Sequence, residues 1–354
     1  MPALLRLGDV GPAVAEVRAR LAALGLCREP VPDPQVFDDA LDRAVRTFQQ
    51  ERGITVDGIV GPHTFRRLEE ARWQLGDRVL SYVPGHLMTG DDVAELQRRL
   101  NQLGFSSGRV DGMFGPQTDT ALREFQQGVG VTADGTCGPD TFRAFERLVR
   151  TVSGGNALHL REQITLSSLQ SGIADKVIVL DPGDAVDPAL CHAIAVRLEG
   201  RLAALGTQVL LTRPAQASAD NPLPDDPSRA QFANDVGADL VVSLHVDRSS
   251  SPRPHGLATF YFGDPRGGTH SPSGRVLAQR LQEELVARTD LLDCRVHPRT
   301  WDLLRLTRMP AVRVELGYVS HPEDHRRLTS PAFQDAVAEA LTAALTAFCA
   351  PRTR

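Results

Sequence analysis

Residues 48–65, FQQERGITVDGIVGPHTF, return at residues 125–142 as FQQGVGVTADGTCGPDTF, a constant offset of 77. Upstream, Val17, Leu21, Leu24 and Gly25 are matched by Leu96, Leu100, Leu103 and Gly104 at an offset of 79. A fixed internal period of this size marks a duplicated folding unit. In each copy the apolar spacing reads as a helix stopped by Gly, a loop, and a second helix ending at Phe-Gln-Gln. An Asp-Gly turn follows, and Gly-Pro opens a third helix. The chain is therefore expected to begin with two small all-α three-helix modules, residues 5–76 and 85–150. The second copy holds an internal echo of the turn, DGMFGPQTDTAL from Asp111, which in the first has decayed to VFDDALDRAV.

Asp57, Gly58 and Gly61 recur as Asp134, Gly135 and Gly138 at the turns of the two copies. Turn chemistry alone accounts for them: Asp-Gly permits positive φ, and Gly-Pro starts a helix.

After residue 150 the texture changes. A Gly/Ser-rich stretch, residues 151–175, reads as a linker with one short helix. From residue 176 to 350 short apolar runs, VIVLD at 177, QVLLT at 208, DLVVSLH at 239, LATFYF at 257 and AVRVEL at 311, alternate with helical patterns. This alternation predicts an α/β domain with a mostly parallel sheet flanked by helices on both faces. Function in such sheets gathers at the carboxyl ends of the strands.

Composition bounds the partners. A net charge of −5 and pI near 6.1 give no basic field for nucleic acid. No stretch reaches the roughly 18 apolar residues of a membrane span, and the N-terminus lacks the features of an export signal. Five scattered cysteines, Cys27, Cys137, Cys191, Cys294 and Cys349, form no C-x-x-C pair. Together these predict a soluble globular protein with reduced thiols in a cytoplasm.

The spacing F-Q-x-x-x-G-x-x-x-D-G-x-x-G-P-x-T-F resembles the peptidoglycan-binding type 1 domain in both copies. That resemblance implies binding of cell-wall glycopeptide or its precursors by a groove near these turns, with Asp57, Gly58, Gly61, Asp134, Gly135 and Gly138 as the candidate glycan or peptide contacts. The motifs VIVLDPGD, LLTR, RAQFANDVGADLVVSLH and AVRVELGYVS resemble the zinc-dependent N-acetylmuramoyl-L-alanine amidases of the amidase 3 family over about residues 175 to 350. What the resemblance implies is a zinc ion held by a histidine after D-P-G, a glutamate and the histidine of the S-[LI]-H strand, with the glutamate of V-E-x-G as catalytic base. His245 matches the third ligand and Glu315 the base, but Asp184 stands where the first histidine belongs. The loop that would carry the glutamate is shortened, leaving Asp187 as the nearest carboxylate.

A catalytic zinc needs three protein ligands and an open position, where the metal lowers the pKa of bound water to about 7. A set of Asp184, Asp187 and His245 is oxygen-rich and suits Mn or Mg better. His192 is a minor ligand candidate, and Asp184 is alternatively the cap of the helix beginning near Pro188. Two functions stay open. One is a catalytically silent amidase-like regulator or binder with no cofactor at full occupancy. The other is a zinc amidase cleaving the muramoyl-L-alanine amide bond. The block DCRVHPRTWDLLRLTRMPAVRVELGYVSHPEDHRRL, joined to the two modules, resembles an actinobacterial branch of the family. This implies a cytoplasmic regulator of precursor synthesis acting on the UDP-N-acetylglucosamine enolpyruvyl transferase.

Overall fold

The computed structural model describes residues 4–27, 32–148, 166, 169–183, 186–213, 224–264 and 269–351. The chain divides into two compact units, Met1–Arg161 and Glu162–Arg354. Most of the expected linker, and Asp184 itself, lie outside the described residues.

The first unit contains the two three-helix modules: α1 (Pro12–Ala23), α2 (Asp39–Glu51) and α3 (Pro62–Glu70), then α4 (Asp91–Gln102), α5 (Pro116–Val129) and α6 (Pro139–Leu148). Each encloses its own apolar core, centred on Val17, Leu21, Leu41 and Phe48 in the first and on Leu96, Leu100, Phe125 and Phe145 in the second. Phe125 and Phe145 stack with ring centroids 4.0 Å apart. Two short strands join the segment before α4 to the turn before α6: β1 (Leu80–Ser81) pairs antiparallel with β2 (Thr136–Cys137). The first module repeats this closure as a Leu5–Val60 bridge.

A buried glutamine organises each Asp-Gly turn. Gln49 Nε2 donates to Asp57 Oδ1 at 2.7 Å, to the Ile59 carbonyl at 3.0 Å and to Thr64 Oγ1 at 3.1 Å, while its Oε1 accepts from the amides of Asp57 and Gly58. Gln126 repeats the pattern with Asp134, Thr136, Thr141 and Gly135. Gln97 repeats it again at the internal echo, with Asp111, Met113, Thr118 and Gly112. At the decayed turn the matching helix position holds Arg18. This side chain is fully buried and donates to the Val36 carbonyl and to Asp38 Oδ1. The repeat is thus a half-module, a helix clasping the turn that follows it, present four times.

The second unit is a six-stranded sheet in the order β4-β3-β5-β8-β6-β7. Its strands are β3 (Val177–Pro182), β4 (Gln208–Leu211), β5 (Leu240–Asp247), β6 (Leu257–Phe262), β7 (Asp293–Arg299) and β8 (Ala311–Tyr318). β3, β4, β5 and β8 run parallel, and β6 joins β8 antiparallel. β7, within a block whose strand character the apolar spacing does not announce, lies parallel to β6 at the edge.

Alternation along the strands separates two faces. Ile178, Leu180, Val242, Leu244, Val312 and Val314 belong to the main core, packed with α7 (Pro188–Ala203), α9 (Pro272–Arg288) and α12 (Pro331–Cys349), the last preceded by the short α11 (Pro322–Leu328). Their neighbours Asp181, Ser243, His245, Arg313 and Glu315 point to the other face, where α8 (Asp226–Asp235) and α10 (Asp302–Leu306) contact each other.

The turn glycines differ in what they tolerate. Gly135 has φ +70°, and a Cβ there would fall within 2.6 Å of Arg123 Nη2, whereas nothing lies within 4 Å of a Cβ at Gly138. Gly135→Ala is therefore expected to destabilise its module by about 1–2 kcal/mol, and Gly138→Ala to stay within about 0.5 kcal/mol, in urea unfolding of the full chain followed by circular dichroism. Equal costs at the two positions would show that positive φ is not the constraint.

Candidate functional site

The polar face is built around Asp181, a fully buried carboxylate near the end of β3. Its Oδ1 accepts from Thr212 Oγ1 at 2.5 Å and from Arg229 Nη1 at 3.0 Å, and its Oδ2 accepts from Ser243 Oγ at 2.5 Å. Burial pushes this carboxyl up, and Arg229, Ser243 and Thr212 pull it back. Arg229 also pairs with Asp226 in the first turn of α8.

Ser243 passes the order on to His245. Since the Ser243 hydroxyl proton goes to Asp181, its oxygen accepts from His245 Nε2, 2.7 Å away. The imidazole is thereby held as the neutral Nε2–H tautomer, with its lone pair on Nδ1. That nitrogen lies against Gly183, where a Cβ would come within 2.5 Å of it, so only glycine lets the end of β3 approach this closely. Gly183 N donates to the Leu244 carbonyl at 2.6 Å, and Arg213 Nε donates to the Pro182 carbonyl at 2.5 Å. Burial and then the cations Arg313, Arg229 and Arg213 hold His245 well below its ordinary value.

Glu315 sits directly opposite His245 in the β5–β8 register. Two residues earlier on the same face, Arg313 Nη2 donates to Glu315 Oε1 at 3.0 Å. The Arg313 guanidinium lies 4.3 Å from the centroid of Trp301, which borders α10. Burial raises the Glu315 carboxyl, Arg313 and Arg299 lower it, and Asp247 adds to the rise.

The sequence-derived candidates separate accordingly. His245 and Glu315 come together. Asp187 instead caps α7, its carboxylate accepting from the Leu190 amide at 3.0 Å, so the cap expected of Asp184 is supplied by Asp187. His192 lies on α7 and faces Arg213 electrostatically, with burial and that cation lowering its pKa. Of the expected ligands, Asp184 lies outside the described residues and Asp187 is engaged in capping, while Glu315 is in an ion pair; among the described residues no group of three or more His, Cys, Asp or Glu side chains is arranged to hold a metal ion. Asp57, Gly58, Asp134 and Gly135 are tied into the glutamine clasps. Gly61 and Gly138 precede the prolines that open α3 and α6.

Sequence reasoning passed over Asp181, Ser243, Arg229 and Arg313. Each stands in a stretch that carried the resemblance, and in AVRVEL the period of two already places Arg313 on the face of Glu315.

Residues 181–347 match the N-acetylmuramoyl-L-alanine amidase family Amidase_3, and residues 10–68 and 89–145 each match the peptidoglycan binding domain. Over 96% of its length the chain is 46% identical to N-acetylmuramoyl-L-alanine amidase CwlM of Mycobacterium tuberculosis, spanning 88% of that protein. It is 29% identical to N-acetylmuramoyl-L-alanine amidase CwlL of Bacillus licheniformis, over 42% of this chain and 46% of that one. Among solved structures, the amidase Ami1 from Mycobacterium smegmatis aligns with a TM-score of 0.44 at 23% identity, covering 51% of this chain and 99% of that chain. Among the described residues no helix is long and apolar enough to cross a membrane.

A neutral buried His245 has a pH signature. Near pH 6.5 the unfolded chain takes up a proton at this residue and the folded chain does not. Stability from this group is intact above that pH and falls below it, by at most about 1.4 kcal/mol per pH unit, until the folded imidazole itself protonates. His245→Gln is expected to flatten this part of the dependence in urea unfolding at stepped pH. Identical slopes for both proteins would contradict the neutral, buried imidazole.

Proposed function

The chain belongs to the N-acetylmuramoyl-L-alanine amidase family, with two peptidoglycan-binding modules ahead of the amidase domain, and from that premise we propose that its amidase domain is catalytically silent. In this reading the protein binds peptidoglycan fragments or precursors and regulates cell-wall precursor synthesis from the cytoplasm. The enolpyruvyl transferase implied by the sequence resemblance is the partner in this proposal, which has no cofactor held at full occupancy.

The observation that carries this reading is the Arg313–Glu315 ion pair. A general base needs a lone pair directed at the water it deprotonates and a pKa matched to that task. Here one carboxylate oxygen is engaged by a guanidinium that is itself fixed on Trp301. The same cation stands close enough to His245 to disfavour its protonated form, and for the same electrostatic reason it disfavours a divalent ion there. The capping role of Asp187 removes a second carboxylate from the metal shell.

One feature favours the hydrolase alternative: His245 and Glu315 face each other across adjacent strands, the pair that a zinc amidase would use as ligand and base. Full-length protein supplied with zinc and an N-acetylmuramoyl-L-alanyl peptide separates the two. The expected result is no peptide release above that of Glu315→Ala, and sub-stoichiometric zinc after dialysis against a weak chelator. Peptide release that vanishes in Glu315→Ala, or one tightly held zinc per chain, would overturn the silent reading.

A further inference from the structure

We propose that the cavity beside Glu315 is a carboxylate-binding pocket in which Arg299 pairs with the carboxylate of an N-acyl amino acid or short peptide. The inference rests on the silent-binder reading for its place in the molecule and names the ligand class that such a site takes.

The cavity, about 210 Å³, runs along β6 and β7 from Gly256 and Cys294 near their amino ends to Arg299 at the carboxyl end of β7, with Glu315 and Tyr318 of β8 beside it. Its lining includes Ala258, Phe260, His297, Arg299, Glu315 and Tyr318. The guanidinium of Arg299 and the carboxylate of Glu315 both line it. The Glu315 carboxylate is taken up by Arg313 at 3.0 Å rather than by Arg299. Among the described residues no carboxylate lies within ion-pair distance of Arg299, and one hydrogen bond is made by its side chain, from Nη1 to the Pro298 carbonyl at 2.9 Å. Arg299 is nonetheless held in place, its guanidinium 5.5 Å from the centroid of Phe260 and 6.0 Å from that of Trp301. Burial lowers its pKa, as expected of a partly desolvated cation, while the charge of Glu315 opposes that fall.

A half-buried guanidinium with spare donors, fixed on an aromatic floor and facing a cavity, matches the planar two-oxygen geometry of a carboxylate. The neighbouring Glu315 and Asp247 select against a dianion: a phosphate would meet their negative charge, while a monoanion is matched by the single guanidinium of Arg299. Ala258, Phe260 and Pro254 give the rest of the ligand an apolar wall. Burial, Asp247 and Glu315 push the Tyr318 phenol up to about 12, so it remains a hydrogen-bond donor to an acceptor in the cavity. A volume of this size accommodates the head of a ligand, a carboxylate with a small side chain and one amide, rather than a whole glycopeptide.

Calorimetric titration of the full chain tests this with N-acetyl-L-alanine, its neutral methylamide and inorganic phosphate as probes. The expected result is saturable binding of N-acetyl-L-alanine, with the methylamide and phosphate each roughly tenfold or more weaker. Arg299→Gln should lose the preference for the charged probe, and Arg299→Lys should keep part of it, with circular dichroism reporting the fold of both. Absence of binding, equal affinity for acid and methylamide, tighter binding of phosphate, or an undiminished preference in Arg299→Gln would each overturn the proposal. Peptide hydrolysis by the unmodified chain would overturn the silent reading instead, and the acid-over-amide preference read in these titrations is independent of it.

Discussion

The α/β unit depends on one buried charge. Asp181 is shielded from water, and an ionised carboxylate in that position is stable only when its oxygens are fully engaged. Its donors come from separate parts of the unit: Thr212 just beyond β4, Ser243 in the middle of β5, and Arg229 on α8. Satisfying this carboxylate therefore fixes an outer strand, a central strand and a helix of the polar face together. Loss of the Arg229 partner alone would leave an uncompensated buried charge, a cost of about 3–5 kcal/mol. The same network also reaches the candidate site. By orienting the Ser243 hydroxyl it determines the tautomer of His245, and hence which ring nitrogen carries the lone pair.

In the helical unit the glutamine clasps do the comparable work with neutral groups. Each buried amide gathers an Asp carboxylate, a Thr hydroxyl and backbone groups that would otherwise be left without partners in a tight turn. Arg18 shows what the arrangement requires when the turn sequence decays. With Asp-Gly gone, a longer donor reaches the Val36 carbonyl, and its charge is met by Asp38, which also caps α2 by accepting from the Leu41 amide. The most recognisable residues of the repeat are thus engaged in folding.

Much of this was legible in the sequence because it is local. The three-helix modules follow from apolar periodicity, Gly stops and Pro at helix starts, and in the α/β unit the prolines at the starts of α9 and α12 are the same kind of local signal. The echo at Asp111 is visible as a motif, but the glutamine that binds it lies 14 positions earlier, across a loop of different length from that at Gln49. What escaped depends on through-space pairing. β6 runs antiparallel to β8, a direction that apolar runs do not encode, and β7 is a polar, half-exposed edge strand with little hydrophobic signal. Asp184 and Asp187 are equivalent cap candidates by composition. The helix begins one residue after Asp187, and that spacing assigns the cap.

The candidate site illustrates how little a fold constrains the charge of its own cleft. Strand pleating puts positions 313 and 315 on the same face and brings 245 opposite 315, whatever residues occupy them. With Arg at 313, beside a Glu at 315, the geometry itself produces an ion pair. Trp301 then covers that guanidinium and limits the water that would otherwise screen it. None of the apolar residues of the opposite face is touched by this choice, so the main core does not depend on the charges that the cleft carries. Arg299, delivered by an edge strand, carries the change further: its charge has no carboxylate within ion-pair distance among the described residues and faces the cavity. Guanidiniums at both positions oppose a divalent cation and offer donors to an anion, and the proposal of a silent, ligand-holding domain rests on that balance.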